Sequence, residues 1–299
     1  MTDEQEAPAR LAFGATFRAA FASVFGNLWS FAKAALLPIA LTFGLALVGF
    51  ALLAADPRYA TDLLSLALQL LGLLPLAILG IACHRLVLLG REAGAIPRPL
   101  VGRRTLVYLG YILLLSIVAT LPGLLFSVVM LGDVIVSLED GSQALERQDP
   151  ARIGEALLLM FLFYFVYFYF LTRLSLVFPA VAVDRKLGFG GSWRLTRGRN
   201  GVKLYTLLIV VTLLCLIGMM IGMFVVNTLV ALLWFAPDLA MSVDEINWID
   251  VVISQLPNLI GALLFEFLCF ALILAAVTTA YAQLSGWEAP HDETTGRFA

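Results

Sequence analysis

Three ionisable residues, Arg85, Arg173 and Glu266, lie inside long apolar stretches of the sequence. A charged side chain at the centre of a membrane-spanning helix costs about 2.5–3.5 kcal/mol on insertion scales, so such residues usually face protein or water. One hypothesis is that Glu266 pairs with Arg173 or Arg85 in a polar cavity that receives a headgroup or a small solute. The alternative is a structural ion pair that fixes helix packing, with Arg85 extending to the membrane interface.

A basic loop forms the second candidate site. Between residues 185 and 203 the sequence carries six Lys and Arg residues and one tryptophan. Each basic residue close to an anionic membrane surface contributes about 1 kcal/mol of attraction. The predicted contacts with anionic phospholipids are Arg185, Lys186, Trp193, Arg194, Arg197, Arg199 and Lys203. The alternative is that this positive charge serves only to orient the chain in the membrane.

The sequence contains no recognisable motif of an enzyme, a metal site or a cofactor site. Its two histidines are His84 and His291, and neither belongs to an HExxH pattern. The glycines at 188, 190 and 191 lack the Lys-Ser/Thr of a phosphate-binding loop and predict a flexible turn. The three cysteines lie in apolar segments and form no paired motif. We therefore expect no catalytic residue, metal or cofactor, and a protein that is not an enzyme.

The composition is that of a membrane protein. Of the 299 residues, 61% are hydrophobic and 13% are charged, whereas soluble domains have about 45–50% and about 25%. The net charge of -2 provides no global basic field for nucleic acid, so nucleic-acid binding is set aside. Several apolar runs exceed 20 residues, which is enough to cross a hydrocarbon core of about 30 Å. Little sequence remains for a soluble catalytic domain.

Six apolar segments predict the fold, at approximately 31–55, 63–89, 105–131, 154–183, 203–235 and 249–284. Apolar segments of this length cross a bilayer as helices, so we predict an all-α, polytopic helical bundle with six transmembrane helices. Pro179 predicts a kink or an early helix end in the fourth segment. The fifth segment is longer than a span requires, so it must tilt, protrude or break.

The distribution of basic residues predicts the orientation of the chain. Most of the 19 Lys and Arg residues lie in the N-terminal region, the second and fourth loops and the tail. Only Arg58, Arg147 and Arg152 lie in the loops on the opposite side. Because basic residues in short loops remain cytoplasmic, both termini are predicted to be cytoplasmic.

The N-terminal region carries phenylalanines at every fourth position, namely Phe13, Phe17, Phe21 and Phe25. This spacing predicts an amphipathic helix that lies in the headgroup plane before the first span. The alternative is a short extension of the first span that packs on its neighbours. The predicted organisation is a cytoplasmic N-terminal region at 1–30, a transmembrane domain at 31–285 and a polar cytoplasmic tail at 286–299.

Two further patterns lie within the spans. Eight aromatic residues fill ten positions between Phe161 and Phe170. They could form a stacking wall for an apolar ligand such as a quinone, a carotenoid or an acyl chain, or a surface for protein packing and lipid contact. Gly218 and Gly222 form a GxxxG spacing, which predicts close helix packing.

The stretch from Arg173 through Pro179 and Asp184 to Gly198 resembles bacterial inner-membrane proteins related to YciC. It is also similar to the membrane domain attached to some bacterial glycerophosphodiester phosphodiesterases. The resemblance implies a helical protein of the bacterial inner membrane that is linked to envelope or lipid homeostasis. We do not expect phosphodiesterase activity, because His84-Arg85 lies in a span without acidic metal ligands nearby.

The resulting interpretation is a non-enzymatic integral inner-membrane protein with an accessory or scaffold role. Its basic cytoplasmic face would interact with membrane lipids, including anionic phospholipids, or with another membrane-protein complex. The alternative is a transporter or permease for a small solute or a lipid, with a polar intramembrane site at Glu266, Arg173 and Arg85.

Overall fold

The computed structural model describes residues 10–55, 63–90, 101–139, 150–234 and 248–288. All regular elements in these ranges are helices. They are α1 (Phe13–Gly26), α2 (Leu28–Ala55), α3 (Leu63–Leu89), α4 (Arg103–Glu139), α5 (Pro150–Leu174), α6 (Val177–Ala182), α7 (Phe189–Leu195), α8 (Arg199–Trp234) and α9 (Trp248–Ser285).

Six regions of these helices are long and apolar enough to cross a membrane. They are Leu28–Gly49, Ala67–Leu89, Arg103–Leu121, Leu157–Ala182, Arg199–Thr228 and Gly261–Ser285. Each overlaps one of the six segments predicted from hydropathy, and the bounds differ by up to a few residues at the basic loops; the predicted all-α, six-span fold is confirmed. The chain is a multi-pass membrane protein.

The fourth span is interrupted close to its end. α5 ends at Leu174, and α6 begins at Val177 after a two-residue turn. Pro179 is the third residue of α6, where a backbone N–H has no partner within the helix and its loss is tolerated. The predicted early helix end is therefore confirmed.

The fifth span is a single unbroken helix. α8 contains 36 residues, which corresponds to a length of about 54 Å at 1.5 Å per residue. A hydrocarbon core is about 30 Å thick. Of the three predicted outcomes, a break is therefore excluded, and the helix must tilt or protrude.

The fourth loop, the start of α4 and the two ends of the described chain meet at the same end of the bundle. The backbone N–H of Leu11 donates to Asn200 Oδ1 at 3.1 Å. The indole N–H of Trp287 donates to the carbonyl of Leu88 at 3.4 Å. We call this end the basic end; it comprises α1, the starts of α4 and α8, the segment 177–198 and the last turns of α3 and α9. The helix ends that flank the second loop thus lie on the same side as the fourth loop; residues 91–100 of the second loop lie outside the described residues.

Helices α8 and α9 form the most extensive contact in the described bundle. Fully buried side chains line it, among them Leu204, Leu207 and Val211 of α8 and Ala271 and Ala275 of α9. Small residues such as these alanines let two helix backbones approach closely, which favours packing in a membrane. This contact provides the scaffold to which the elements of the basic end attach.

Farther from the basic end, α2 and α5 have stretches in which every residue is exposed. All residues from 161 to 166 in α5 and from 40 to 44 in α2 are exposed. Since 3.6 residues complete one helical turn, such runs are exposed around the whole circumference of each helix. The packed core is therefore concentrated in the half of the bundle that carries the basic end.

The N-terminal helix packs on α9 mainly through its small side chains, with the predicted phenylalanine stripe beside them. In α1 the fully buried side chains are Thr16, Ala20 and Val24, and Thr16 Oγ1 donates to Gln283 Oε1 of α9 at 2.9 Å. The phenylalanine stripe lies to the side, and Phe25 is 53% exposed. Small side chains allow closer approach to α9 than phenylalanines would. This arrangement is the alternative of a packed extension, while a location in the headgroup plane stays a prediction.

Candidate anion-binding site

A cavity of about 330 Å³ opens at the basic end between α4 and the segment that joins α6 to α7. Its polar rim carries four cations and one carboxylate. These are Arg103 and Arg104 at the start of α4, and Asp184, Arg185 and Lys186 after α6. An excess of positive charge around one cavity indicates a site for an anion.

A helix-ending turn positions the residues that follow α6. The N–H of Asp184 donates to the carbonyl of Val181, and the N–H of Arg185 donates to the carbonyl of Ala180. This pair of bonds is the Schellman motif, which requires a left-handed residue directly after the helix cap. Asp184 occupies that position with a φ of 59°, a conformation that aspartate tolerates better than most residues. The turn directs residues 184–186 toward the cavity.

An ion pair closes one side of the cavity. Arg104 Nε donates to Asp184 Oδ1 at 2.9 Å, and Arg104 Nη2 contacts the second carboxylate oxygen. The side chain of Asp184 is 65% exposed, so a pair of this kind contributes about 0–1 kcal/mol to stability. The pair is therefore easily exchanged for another anion at Arg104.

The end of α9 contacts one of the residues that line the cavity. The guanidinium of Arg185 lies over the ring of Trp287 at 4.4 Å, a favourable cation–π geometry. Arg85 of α3 lies within electrostatic range of both Arg104 and Asp184. Residues of α3 and α9 thus lie next to the charged groups that line the cavity.

The interior of the cavity is less polar than its rim. Val107, Tyr111, Val181 and Leu187 line it, and the ring of Tyr111 packs edge-on against Phe189 at 4.9 Å. Tyr111 follows the two arginines of α4 by about two turns, which corresponds to about 10 Å along the helix. The cavity therefore changes from charged to apolar in the direction of the membrane.

Arg173 is used to hold α7 in place. Its guanidinium is buried, with Nε donating to Thr196 Oγ1 at 3.2 Å and Nη2 donating to the carbonyl of Trp193 at 3.0 Å. It also lies 3.5 Å from the ring centre of Trp193. In return, Ser192 Oγ donates to the carbonyl of Arg173 at 2.6 Å. This arginine connects the end of α5 to the loop.

The structure does not bring Arg173 together with Glu266. Arg173 lies against Gly201 of α8, whereas Cys215 faces Cys269, one turn from Glu266 on α9. Gly201 and Cys215 are 14 positions apart on α8, which corresponds to about 20 Å along the helix. The predicted ion pair is therefore absent from the described residues, because α5 ends close to the basic end and Glu266 lies deep in its span.

Arg85 is also distant from Glu266. The neighbouring residue His84 contacts Thr278 at 2.6 Å, and Thr278 is about 18 Å along α9 from Glu266 at 1.5 Å per residue. Glu266 lies on an exposed side of α9. The polar cavity predicted from these three charges is thus not formed, and the transporter hypothesis loses the site on which it was built.

The seven predicted lipid contacts have four different environments. Arg185 and Lys186 line the cavity. Arg194, Arg197 and Arg199 are exposed on the same end. Trp193 lies between Arg173 and Phe170, stacking on the phenylalanine at 5.7 Å. Lys203 donates to the carbonyl of Leu11 at 2.8 Å and so holds the beginning of α1.

Sequence reasoning did not select Arg103, Arg104 or Asp184 as site residues. Arg103 and Arg104 belong to the second basic loop and were used only to predict orientation. Asp184 comes directly after the apolar fourth segment, and nothing in that position indicates a partner. The pairing of Arg104 with Asp184 spans 80 positions, a separation at which one sequence contains no signal of contact. The sequence signal that could have indicated this site is the pair of adjacent arginines at the start of a span.

The aromatic run of α5 has two parts. Residues 161–166 are exposed, although the ring of Phe165 still meets Tyr205 of α8 edge-on at 5.3 Å. Farther along, Phe168 and Tyr169 pack against Tyr205 of α8 at 5.9 and 5.6 Å, and Tyr167 donates to the carbonyl of Leu115 at 3.0 Å. The second part is therefore protein packing, while a ligand at the first part stays a prediction.

Comparisons with protein-family models, with curated proteins and with solved structures find no match for this chain. The resemblance to the YciC-related proteins therefore stays a prediction.

Proposed function

We propose that this chain is a non-enzymatic accessory protein of the bacterial inner membrane that binds anionic lipids through its basic end. In this proposal the basic end faces the cytoplasm. The observation that carries the proposal is the cavity whose described rim holds Arg103, Arg104, Arg185 and Lys186 with one carboxylate, that of Asp184. No chemistry is required of these residues beyond the attraction of negative charge.

The position of the cations supports lipid binding beyond a role in orientation. The positive-inside effect depends on the number of basic residues in a loop and does not require them to converge. Here two loops contribute to one rim, and the cavity behind the rim becomes apolar in the membrane direction. An anionic headgroup at the rim would satisfy the charges without moving its acyl chains out of the bilayer.

Lipid binding is tested by native mass spectrometry of the purified protein with added phosphatidylglycerol or phosphatidylcholine. In the Arg185→Gln/Lys186→Gln variant we expect about 30-fold weaker binding of phosphatidylglycerol, from two residues at about 1 kcal/mol each. Binding of the zwitterionic lipid should not change. The matched control is Arg147→Gln/Arg152→Gln, which removes the same charge on the predicted opposite side. Equal losses in both variants, or no loss in either, would overturn the proposal.

Orientation is tested by labelling single cysteines with a membrane-impermeant maleimide in intact cells. The background variant lacks the native thiols of Cys83, Cys215 and Cys269. We expect labelling of Arg147→Cys from the periplasm, and labelling of Arg98→Cys and Arg194→Cys only after the cells are opened. Labelling of the last two positions in intact cells, or from opposite sides, would refute a cytoplasmic basic end.

A further inference from the structure

We propose that the cavity is a specific site for the terminal phosphate of an anionic lipid, and that Asp184 is a built-in competitor for that phosphate. This inference rests on the proposed function, since it assumes that the cavity opens at the lipid interface. It goes further by assigning one headgroup chemistry, a phosphate monoester, and one regulatory carboxylate.

The first argument is the charge of the rim. Among the described residues, Arg103, Arg104, Arg185 and Lys186 share one carboxylate, so this part of the rim retains the charge of about three cations. A phosphate monoester carries about -1.5 to -2 at pH 7, whereas a diester carries only about -1 because its second acidic oxygen is esterified. The doubly charged group therefore matches the rim better.

The second argument is that several of the charges are held in position. Arg104 makes a two-point contact with a carboxylate, and the same guanidinium geometry binds phosphate oxygens in pairs. Arg185 is fixed over Trp287. The rim also includes the N-terminus of the long helix α4, whose dipole favours an anion. A phosphate would therefore meet donors that are already oriented.

The third argument distinguishes a lipid from a free phosphate ion. Behind the rim, Val107, Tyr111, Val181 and Leu187 form an apolar interior. An inorganic ion gains nothing from such surface, whereas the glycerol backbone and first acyl carbons of a lipid are stabilised by it. The volume of about 330 Å³ also exceeds that of a single ion. We therefore assign the phosphate to a lipid.

The fourth argument concerns Asp184. Its carboxylate occupies Arg104 from an exposed position, so a phosphate must displace it in order to reach that guanidinium. Asparagine has a similar tolerance for the left-handed turn. Asp184→Asn therefore keeps the turn while removing the negative charge that competes with the ligand.

The test measures binding of phosphatidic acid and phosphatidylglycerol to the full chain by native mass spectrometry. We expect phosphatidic acid to bind at least about 10-fold more tightly, and Asp184→Asn to raise its affinity by about 3- to 10-fold; a tenfold change is about 1.4 kcal/mol. Arg103→Gln/Arg104→Gln should lower the affinity for phosphatidic acid about 30-fold. Arg103→Gln alone leaves the Arg104 ion pair intact, and it should lower the affinity about 5-fold at unchanged thermal stability.

The matched control is Arg197→Gln/Arg199→Gln, which removes two exposed charges from the same end but outside the cavity. It should leave the ratio of the two lipid affinities unchanged. Equal affinities for the two lipids, or weaker binding by Asp184→Asn, would overturn the inference. Displacement of phosphatidic acid by millimolar inorganic phosphate would overturn the assignment to a lipid. If selectivity for phosphatidylglycerol over phosphatidylcholine persists in either case, the proposed function stands and only this inference fails.

Discussion

Replacing Arg173 with alanine should release α7 from the end of α5. The guanidinium donates two hydrogen bonds to the loop, to Thr196 and to the carbonyl of Trp193, and it stacks on the indole of Trp193. A hydrogen bond to a charged group contributes about 1.5–3 kcal/mol, and a partly buried cation–π contact contributes about 1 kcal/mol. Because these contributions are not additive, we expect the free energy of local opening of α7 to fall by about 3 kcal/mol.

The assay is hydrogen–deuterium exchange with peptides that cover residues 189–196. A loss of about 3 kcal/mol in local opening energy corresponds to exchange that is roughly 100-fold faster. Protection in the α8–α9 contact should change little, because the loop is outside it. Arg173→Lys should be intermediate, since lysine keeps the charge but loses the planar fork that stacks and donates in two directions.

The matched control is Arg194→Ala, which removes an exposed arginine from α7 itself. Its exchange should remain close to that of the native protein. Unchanged protection at 189–196 in Arg173→Ala would refute the assignment of Arg173 as the residue that holds α7. The same increase in both variants would show that any loss of charge loosens the loop, and it would refute the reasoning equally.

The remaining predictions concern the spans. Gly222→Ala should lower the unfolding temperature in detergent, because a Cβ there would overlap the ring of Phe265 and overpacking costs about 1–3 kcal/mol. The control Gly218→Ala, where no atom lies within 4 Å of an added Cβ, should not lower it; equal shifts would contradict a packing role for this glycine. The effects of Glu266→Gln and Arg173→Gln on the free energy of unfolding should add within about 0.5 kcal/mol in the double variant, because the two residues are about 20 Å apart. A coupling above about 1 kcal/mol would show that they interact.

Several elements of the site were predictable from local sequence. Pro179 correctly marked an early end of the fourth helix, because a proline disrupts the helical turn that precedes it, and α5 ends at Leu174. Arg185 and Lys186 were selected as anion contacts from charge density alone, and they line the cavity. The GxxxG spacing identified Gly222 as a packing position, although Gly218 has open space. In each case the relevant physics extends over a few neighbouring residues.

The error concerning the intramembrane charges has a different origin. Arg173 and Glu266 both lie in apolar segments, and the cost of burying each charge made a mutual pair reasonable. The structure satisfies Arg173 with a hydroxyl, a carbonyl and an indole ring from the loop that follows. The N–H donors of a buried arginine need acceptors in suitable directions. Neutral groups can provide these acceptors without a carboxylate.

The number and approximate positions of the spans followed from hydropathy, because hydropathy is a property of a contiguous segment and a bilayer accepts such segments as helices. The distribution of basic residues predicted that the basic loops share one side, and in the structure the start of α4 lies beside the fourth loop. Which charges meet depended on tertiary packing. The pairing of Arg104 with Asp184 depends on how α4 packs beside α6, and the separation of Glu266 from both arginines depends on the depths at which their helices cross. Those relations are set by packing between distant segments, for which a single sequence has no local signal.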